Sequence, residues 1–374
     1  MGALHNILLY SSLLIVGLIV SQSVDLSPAR GSLSTLTLIC LAYIMIEVGL
    51  EFVLDKRRLK KYGADYLVAA TAAAFPWIFC AAYFMAVFGT GWKEALLIGR
   101  FAAPTSAGVL FAMLGAAGLA ATWLFKKARI LAIFDDLDTV LFMIPLQVLF
   151  VGWKMELLAV GGIIIALLVA AYRWLHTLRW PVGRGWLLLY GGVTVLLCRM
   201  LENAVHIHVE VLLPAFALGG ILFNPHDPNQ PNRHLQEHAY LEPENKPAQL
   251  LDRGLKASFM FLVGCSLPRI ELAAVPWGMV FLHVTALTLL SNIGKCFPLF
   301  CYRQEASLRQ RLALSIAMFP RGEVGAGVLL VAIGYGLTGL PLTLSALSLA
   351  LNLVLTGVFI AAVKWLIREE LASQ

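Results

Sequence analysis

The chain has 374 residues, of which 60% are hydrophobic and only 13% are charged. Ordinary globular domains are about 45 to 50% apolar and about 25% charged, so this composition indicates a membrane protein and excludes a typical water-soluble enzyme. The net charge of +6 comes from basic residues in short loops between apolar segments. Orientation in the membrane explains those residues, and nucleic-acid binding is not expected.

Apolar segments recur along the whole chain at the length that a helix needs to cross about 30 Å of hydrocarbon. They predict an all-α polytopic membrane protein with about 12 transmembrane helices. The predicted spans are residues 6–24, 33–54, 65–88, 94–121, 129–150, 154–172, 185–201, 205–223, 255–270, 275–301, 308–334 and 340–366.

The distribution of basic residues predicts how the chain is oriented in the membrane. Of the 28 Lys and Arg residues, 20 fall in one alternate set of connections and 5 in the other. Cytoplasmic loops are enriched in Lys and Arg, so both termini are expected in the cytoplasm. Residues 224–254 are polar and Pro-rich, and they predict a cytoplasmic linker between an N-terminal membrane half, 1–223, and a C-terminal half, 255–374.

The fifth span carries three acids. It reads "RILAIFDDLDTVLFMIPL", with Asp135, Asp136 and Asp138 in its first half. Ionisable groups are costly inside a bilayer and therefore indicate function. Neighbouring carboxylates in a low dielectric repel each other, so at least one of them is expected to bind a proton or a cation. The pattern predicts a site at which Na⁺ and H⁺ compete.

Other charges lie within predicted spans. Lys295 lies in the otherwise apolar tenth span, and pairing with Asp135 would compensate its burial. A purely structural ion pair is the alternative. Arg100 precedes an interruption of the fourth span and is interpreted as a structural counter-ion. Glu47 has no evident partner among the aspartates, which favours a packing or hydrogen-bonding role over a place in a proton path.

Two spans are interrupted at corresponding places. The fourth contains "FAAPTSAGVL" and the eleventh "AMFPRGEVGAGVL", each with a proline near its middle. Proline breaks a helix, and broken helices at mid-membrane persist only where they line a cavity or the protein interior. One interrupted span in each half indicates a transporter built from two inverted repeats with crossing helices 4 and 11, although simple kinks are the alternative.

Together, these segments resemble the cation/proton antiporter superfamily, and within it the bacterial sodium/proton antiporters. The resemblance covers most of the chain in the expected order. It lies in "GLEF" at 49–52, "APTSAGVLFAML", "ARILAIFDDLDTVLFMIPL", "FLVGCSL" at 261–267, "GKCFPLF" at 294–300 and "PRGEVGAGVL" at 320–329.

The resemblance implies roles for individual residues. Asp136 would be the principal cation ligand, and Asp135 would be the partner of Lys295, which would release its proton when Na⁺ displaces it. Thr105 and Ser106 would line the site at the break of the fourth span. No cofactor is implied, no metal other than the transported monovalent cation, and no enzymatic activity.

The resemblance also implies supporting roles and a biological setting. Arg321 and Glu323 would be structural charges near the crossing, while Asp138 has no counterpart in the motif and is a possible accessory acid, as is Glu47. Two adjacent acids imply electrogenic exchange of cytoplasmic Na⁺ or Li⁺ for H⁺. A homodimer in the bacterial inner membrane, acting in pH homeostasis, is expected, with spans 3–5 and 10–12 as its moving core.

Three alternatives stay open. K⁺ could replace Na⁺ as the cargo. A sodium-coupled organic anion symporter would keep the fold, but Lys295 argues against it. An intramembrane aspartyl protease would need a second acid on another span, and the eleventh span offers only "PRGEV", whose acid lies close to Arg321.

Overall fold

The structure, a computed structural model, describes residues 2–51, 59–119, 122–152, 177–205, 211–223, 246–266 and 276–368, with a few isolated positions between 162 and 175. This part of the chain is almost entirely helical, and Leu178 and Leu222 form an isolated β-bridge within it. Its α-helices are α1 (Gly2–Ser23), α2 (Arg30–Glu51), α3 (Leu59–Phe88), α4 (Trp92–Gly99), α5 (Ala107–Ala116), α6 (Trp123–Val151), α7 (Arg184–Val205), α8 (Leu212–Ile221), α9 (Lys246–Ser266), α10 (Trp277–Gly294), α11 (Leu308–Ala317), α12 (Glu323–Gly334) and α13 (Leu340–Leu366).

Five described helices are long and apolar enough to cross a membrane by length and composition: α2, α3, α7, α10 and α13. The predicted fourth and eleventh spans are each two shorter helices, α4 with α5 and α11 with α12. The predicted sixth span, 154–172, falls almost wholly outside the described residues. The prediction of an all-α polytopic membrane protein is confirmed.

The two interrupted spans follow from local chemistry. A 3₁₀ turn at Arg100–Ala102 follows α4, and Pro104 separates it from α5. In the second half, Pro320 and Gly322 separate α11 from α12. Proline has no backbone N–H and blocks a continuous helix, so each span is divided near its middle.

The chain divides into two compact units. The first contains Met1–Arg30, Lys60–Leu146 and Met260–Gln374, and the second contains Gly31–Leu59 and Gln147–Phe259. The first unit therefore holds α3 to α5 and nearly all of α6, followed by α10 to α13. Each of these sets consists of a long helix, a broken helix and a second long helix, which is the arrangement expected of a repeat.

Within each unit, one pair of described helices has a glycine on both sides of its contact. A Cβ added to Gly264 would lie 2.9 Å from the Cα of Gly17 in the first unit, and a Cβ on Gly219 would lie 3.0 Å from the Cα of Gly49 in the second. Small residues allow membrane helices to approach at backbone distance. The pairs α1–α9 and α2–α8 therefore pack backbone against backbone at these points.

The predicted linker is only partly described. Residues 224–245 lie outside the described residues, and residues 246–254 form the beginning of α9. The division of the chain into membrane halves at 1–223 and 255–374 stays a prediction.

Candidate ion-binding site

The three aspartates lie in the first half of α6 and are almost completely buried. Asp135 is 0% exposed, and Asp136 and Asp138 are each 1% exposed. The helix around them is largely apolar. Carboxylates in such surroundings need a proton, a cation or a basic side chain beside them.

Asp135 contacts both halves of the first unit. The amino group of Lys295 donates a hydrogen bond to Asp135 Oδ2, and the backbone N–H of Thr105 donates to the same oxygen at 2.8 Å. The other oxygen of Asp135, Oδ1, is buried without a hydrogen-bond partner among the described residues. Asp135 thus has one carboxylate oxygen held by the protein and one available to a ligand.

The break of the fourth span contacts this carboxylate through the backbone N–H of Thr105, whose hydroxyl bonds elsewhere. The hydroxyl of Thr105 donates to the carbonyl of Met318 at 3.0 Å, across the crossing. The backbone N–H of Ser106 donates to the carbonyl of Pro320 at 2.9 Å. These two bonds connect the break of the fourth span to that of the eleventh.

Lys295 follows directly on the last residue of α10 and is 0% exposed. Its neighbour Gly294 lies against Pro76 in α3, because a Cβ on Gly294 would come within 2.6 Å of the proline Cδ. This close approach fixes the end of α10 against the middle of α3. Lys295 is thereby positioned opposite α6.

Arg321 connects the crossing to α10. Its Nε donates to the carbonyl of Ala102 at 2.9 Å, its Nη1 to the carbonyls of Met318 and Phe319, and its Nη2 to the carbonyl of Ser291 at 2.9 Å. Helix ends leave carbonyls without intrahelical donors, and a guanidinium at these ends also balances their partial negative charge.

Glu323 is the first residue of α12. Its backbone therefore begins the second helix of the broken span, while its side chain lies outside what the structure describes.

Asp138 and Arg100 form a second buried ion pair. Arg100 Nη2 donates to the carboxylate of Asp138 at 3.0 Å and to its backbone carbonyl at 2.8 Å. The guanidinium also lies 4.5 Å from the ring centre of Trp77 and 5.0 Å from that of Phe142. Both side chains lie within predicted spans and their charges are opposite in sign. The pairing could have been proposed from this signal.

We expect the Arg100→Gln variant to be destabilised by about 3–5 kcal/mol, because it leaves the Asp138 carboxylate buried without its counter-ion. Adding Asp138→Asn should recover most of that loss, since the pair is then removed as a whole. Thermal unfolding of the detergent-solubilised protein measures both effects, with Lys93→Gln, an exposed residue of α4, as the control. Additive losses in the double variant would contradict the pairing.

Glu47 takes part in a separate charge cluster within the second unit. Its carboxylate binds the guanidinium of Arg184 and the amino group of Lys256, the latter at 2.8 Å. Asp252 lies 3.1 Å from the same lysine and accepts a hydrogen bond from the hydroxyl of Tyr43 at 3.1 Å. Glu47 thus has ion-pair partners that sequence reasoning missed.

A third cluster lies at the beginning of α3 and α6. Lys127 binds Asp65 at 2.9 Å and Glu305 at 3.3 Å, and its amino group lies 4.3 Å from the ring centre of Tyr302. The hydroxyl of Tyr302 donates to Asp65 at 2.8 Å. Burial, and then the nearby Asp65 carboxylate, raise the pKa of the Tyr302 phenol, which keeps it protonated as a donor.

Comparisons with known proteins bear on the family and on the fold. The family described as "Sodium/hydrogen exchanger, transmembrane" matches residues 7–366. The sodium proton antiporter MjNhaP1 from Methanocaldococcus jannaschii has a similar structure, with a TM-score of 0.61 over 95% of this chain and 90% of that chain at 15% sequence identity. No curated protein matches the sequence. At this identity, the structural likeness shows the fold alone.

Proposed function

This chain belongs to the sodium/hydrogen exchanger family, and on that premise we propose that it exchanges Na⁺ or Li⁺ for H⁺ with Asp136 as the principal cation ligand. The family is one of transporters rather than enzymes, and membership establishes cation/proton exchange across a membrane. The proposal adds the choice of cation, the residues that bind it and the direction of transport.

The observation that carries the proposal is the buried contact between Lys295 and Asp135, one residue before Asp136. A cation that enters beside these carboxylates competes with the lysine for Asp135, because both are positive and the carboxylates are buried. Lys295 then loses its counter-ion and releases its proton. Exchange follows, since the cation and the proton depend on the same carboxylates.

We propose electrogenic exchange, in which the number of protons per cation depends on whether Asp136 is protonated before the cation binds. Among the described side chains around the two breaks, three carboxylates and three basic groups are buried: Asp135, Asp136, Asp138, Arg100, Lys295 and Arg321. Their formal charges cancel when all six are ionised, so a bound cation adds one positive charge that the loss of a proton must offset. If Asp136 is protonated when no cation is bound, cation binding releases a second proton from its carboxyl group. More than one proton then moves per cation.

K⁺/H⁺ exchange is the second candidate, because the same carboxylates could bind either cation. A sodium-coupled organic anion symporter is disfavoured, since the Lys295 ammonium is already neutralised by Asp135. An aspartyl protease is disfavoured as well. Among the described residues around the breaks, the buried carboxylates all lie on α6, whereas such a protease needs acids from two spans.

We further propose a homodimer in the bacterial inner membrane, with cytoplasmic termini and a role in pH homeostasis. The 20 to 5 distribution of basic residues between alternate connections supports the orientation.

Purified protein in liposomes with an imposed pH gradient tests the proposal. We expect added Na⁺ or Li⁺ to collapse the gradient, and an imposed membrane potential to change the rate because the exchange moves net charge. Collapse with K⁺ alone would favour the second candidate. Folded protein that responds to none of the three cations would contradict cation/proton exchange as the function.

A further inference from the structure

A line of polar residues runs along one face of α13, which is otherwise an apolar span. It consists of Ser345, Ser348, Asn352 and Thr356, and all four are 0% exposed. Their spacing of three to four residues places them on the side of the helix that meets α10. There, the hydroxyls of Thr288 and Ser348 are 2.9 Å apart.

The amides in this region differ from the hydroxyls. Ser345 and Thr356 donate to carbonyls of their own helix at 2.8 and 3.0 Å, which satisfies them locally. In contrast, both amide atoms of Asn352, and Oδ1 of Asn292 on α10, are buried with no hydrogen-bond partner among the described residues. Buried polar groups nearly always have a partner, so this pair of amides calls for a ligand or a moving side chain.

The register between α10 and α13 places the two amides at one level. Arg321 binds the carbonyl of Ser291 on α10, and the adjacent Gly322 faces α13, where an added Cβ would lie 3.8 Å from Leu353. Both contacts lie a few residues beyond the Thr288–Ser348 contact on their helices. The two helices therefore run in the same direction through this region.

Lys295 lies on the same face of α10 as these groups. Starting from Thr288, Asn292 lies one turn along the helix and Lys295 two turns along it, while Asn352 lies one turn beyond Ser348 on α13. Side chains of a helix lean toward its N-terminus, so the Lys295 side chain extends over the turn that carries Asn292. Its four-carbon stem rotates freely enough to serve more than one acceptor.

We propose that Asn292 and Asn352 form an uncharged docking position for the Lys295 amino group, which it occupies when a cation displaces it from Asp135. The inference rests on the proposed function, because it assumes that the cation and Lys295 compete for Asp135. The amide oxygens accept N–H groups of lysine. A displaced Lys295 therefore keeps hydrogen-bond partners in the protein interior, and the cation-bound state is stabilised. An ordered water between the amides is the competing explanation.

Asn352→Leu tests the docking position, because leucine has nearly the shape of asparagine but accepts no hydrogen bond. We expect the apparent Kd for Na⁺ or Li⁺ to increase about tenfold, which corresponds to the loss of one hydrogen bond to a charged group. The Kd is obtained from the rise in unfolding temperature with cation concentration. Thr356→Val on the same face is the matched control and should change the Kd less than about twofold, because that hydroxyl bonds only to its own helix.

The same substitution in a Lys295→Gln background separates docking from a local effect. If Asn352 acts by receiving Lys295, Asn352→Leu should leave the Kd of the Lys295→Gln protein unchanged within about twofold. An equal tenfold rise in that background would overturn the proposal and favour an ordered water. An unchanged Kd in the wild-type background would overturn it too.

The proposed function has a separate mode of failure. If Na⁺, Li⁺ and K⁺ all leave the unfolding temperature of the wild-type protein unchanged, cation binding itself is contradicted, and the docking position with it. If the wild type is stabilised by a cation and the Asn352→Leu protein is stabilised with the same Kd, only the docking position is contradicted.

Discussion

Replacing Asp136 by Asn is expected to lower cation-dependent proton exchange by about 100-fold or more. Asparagine keeps the shape of the side chain and an oxygen ligand, but it removes the negative charge that offsets a buried cation. Truncating one partner of a buried charge pair costs about 2–5 kcal/mol, which corresponds to this loss. Asp136→Asn also removes a titratable carboxyl, so the residual transport should no longer move the second proton.

Collapse of an imposed pH gradient in liposomes measures this loss, with protein amounts matched between variants. Glu94→Gln is the control, because it removes a carboxylate that is exposed at the beginning of α4 and should leave the rate unchanged. Exchange at near wild-type rate in folded Asp136→Asn protein would show that another group is the principal ligand.

Gly294→Ala is expected to destabilise the protein by about 3 kcal/mol or more. The added Cβ would lie 2.6 Å from the Cδ and 2.7 Å from the Cα of Pro76, and neither atom belongs to a flexible chain that can rotate away. Overpacking of this kind usually costs about 1–3 kcal/mol, and more where backbone must move. Because Lys295 is the next residue, the displacement should also weaken its contact with Asp135.

Gly278→Ala gives the matched comparison within the same helix. A Cβ at Gly278 meets no atom within 4 Å, so this variant should be neutral or slightly stabilised by the better helix propensity of alanine. Thermal unfolding of both variants in detergent measures the difference. Equal stability of the two would mean that α3 and α10 adjust at no cost.

The sequence predicted the structure best where the bilayer itself restricts the backbone. Length and hydropathy alone predicted an all-helical membrane protein, because lipid leaves the backbone few other ways to satisfy its hydrogen bonds. Pro104 and Pro320 indicated where two spans are divided, since proline acts on its own backbone. The structure brings these breaks together, and it brings Lys295 into contact with Asp135.

Ion-pair partners that depend on how each helix is rotated about its axis could not be predicted from the spacing of residues. Arg184 and Lys256 bind Glu47 but lie at the ends of the predicted spans 185–201 and 255–270, so they did not stand out as intramembrane charges. Arg100 and Asp138 were each recognised as intramembrane charges, but nothing in their spacing says that they face each other. The orientation of one helix relative to another depends on packing across its whole face.

Uncharged polar residues were missed for a different reason. Asn352 carries no charge, and an amide in a membrane span is ordinary when a neighbouring group satisfies it. Only the contacts around it reveal that neither amide atom has a partner among the described residues. That property belongs to the environment of the residue and not to its type.

The four hydrogen bonds of Arg321 have a mechanical consequence. A single side chain therefore joins the break of the fourth span, its own break and α10 by hydrogen bonds. Separating the two repeats would break its bond to Ala102, together with the bonds from Thr105 to Met318 and from Ser106 to Pro320. The two broken spans and α10 should therefore move together as one rigid body during transport.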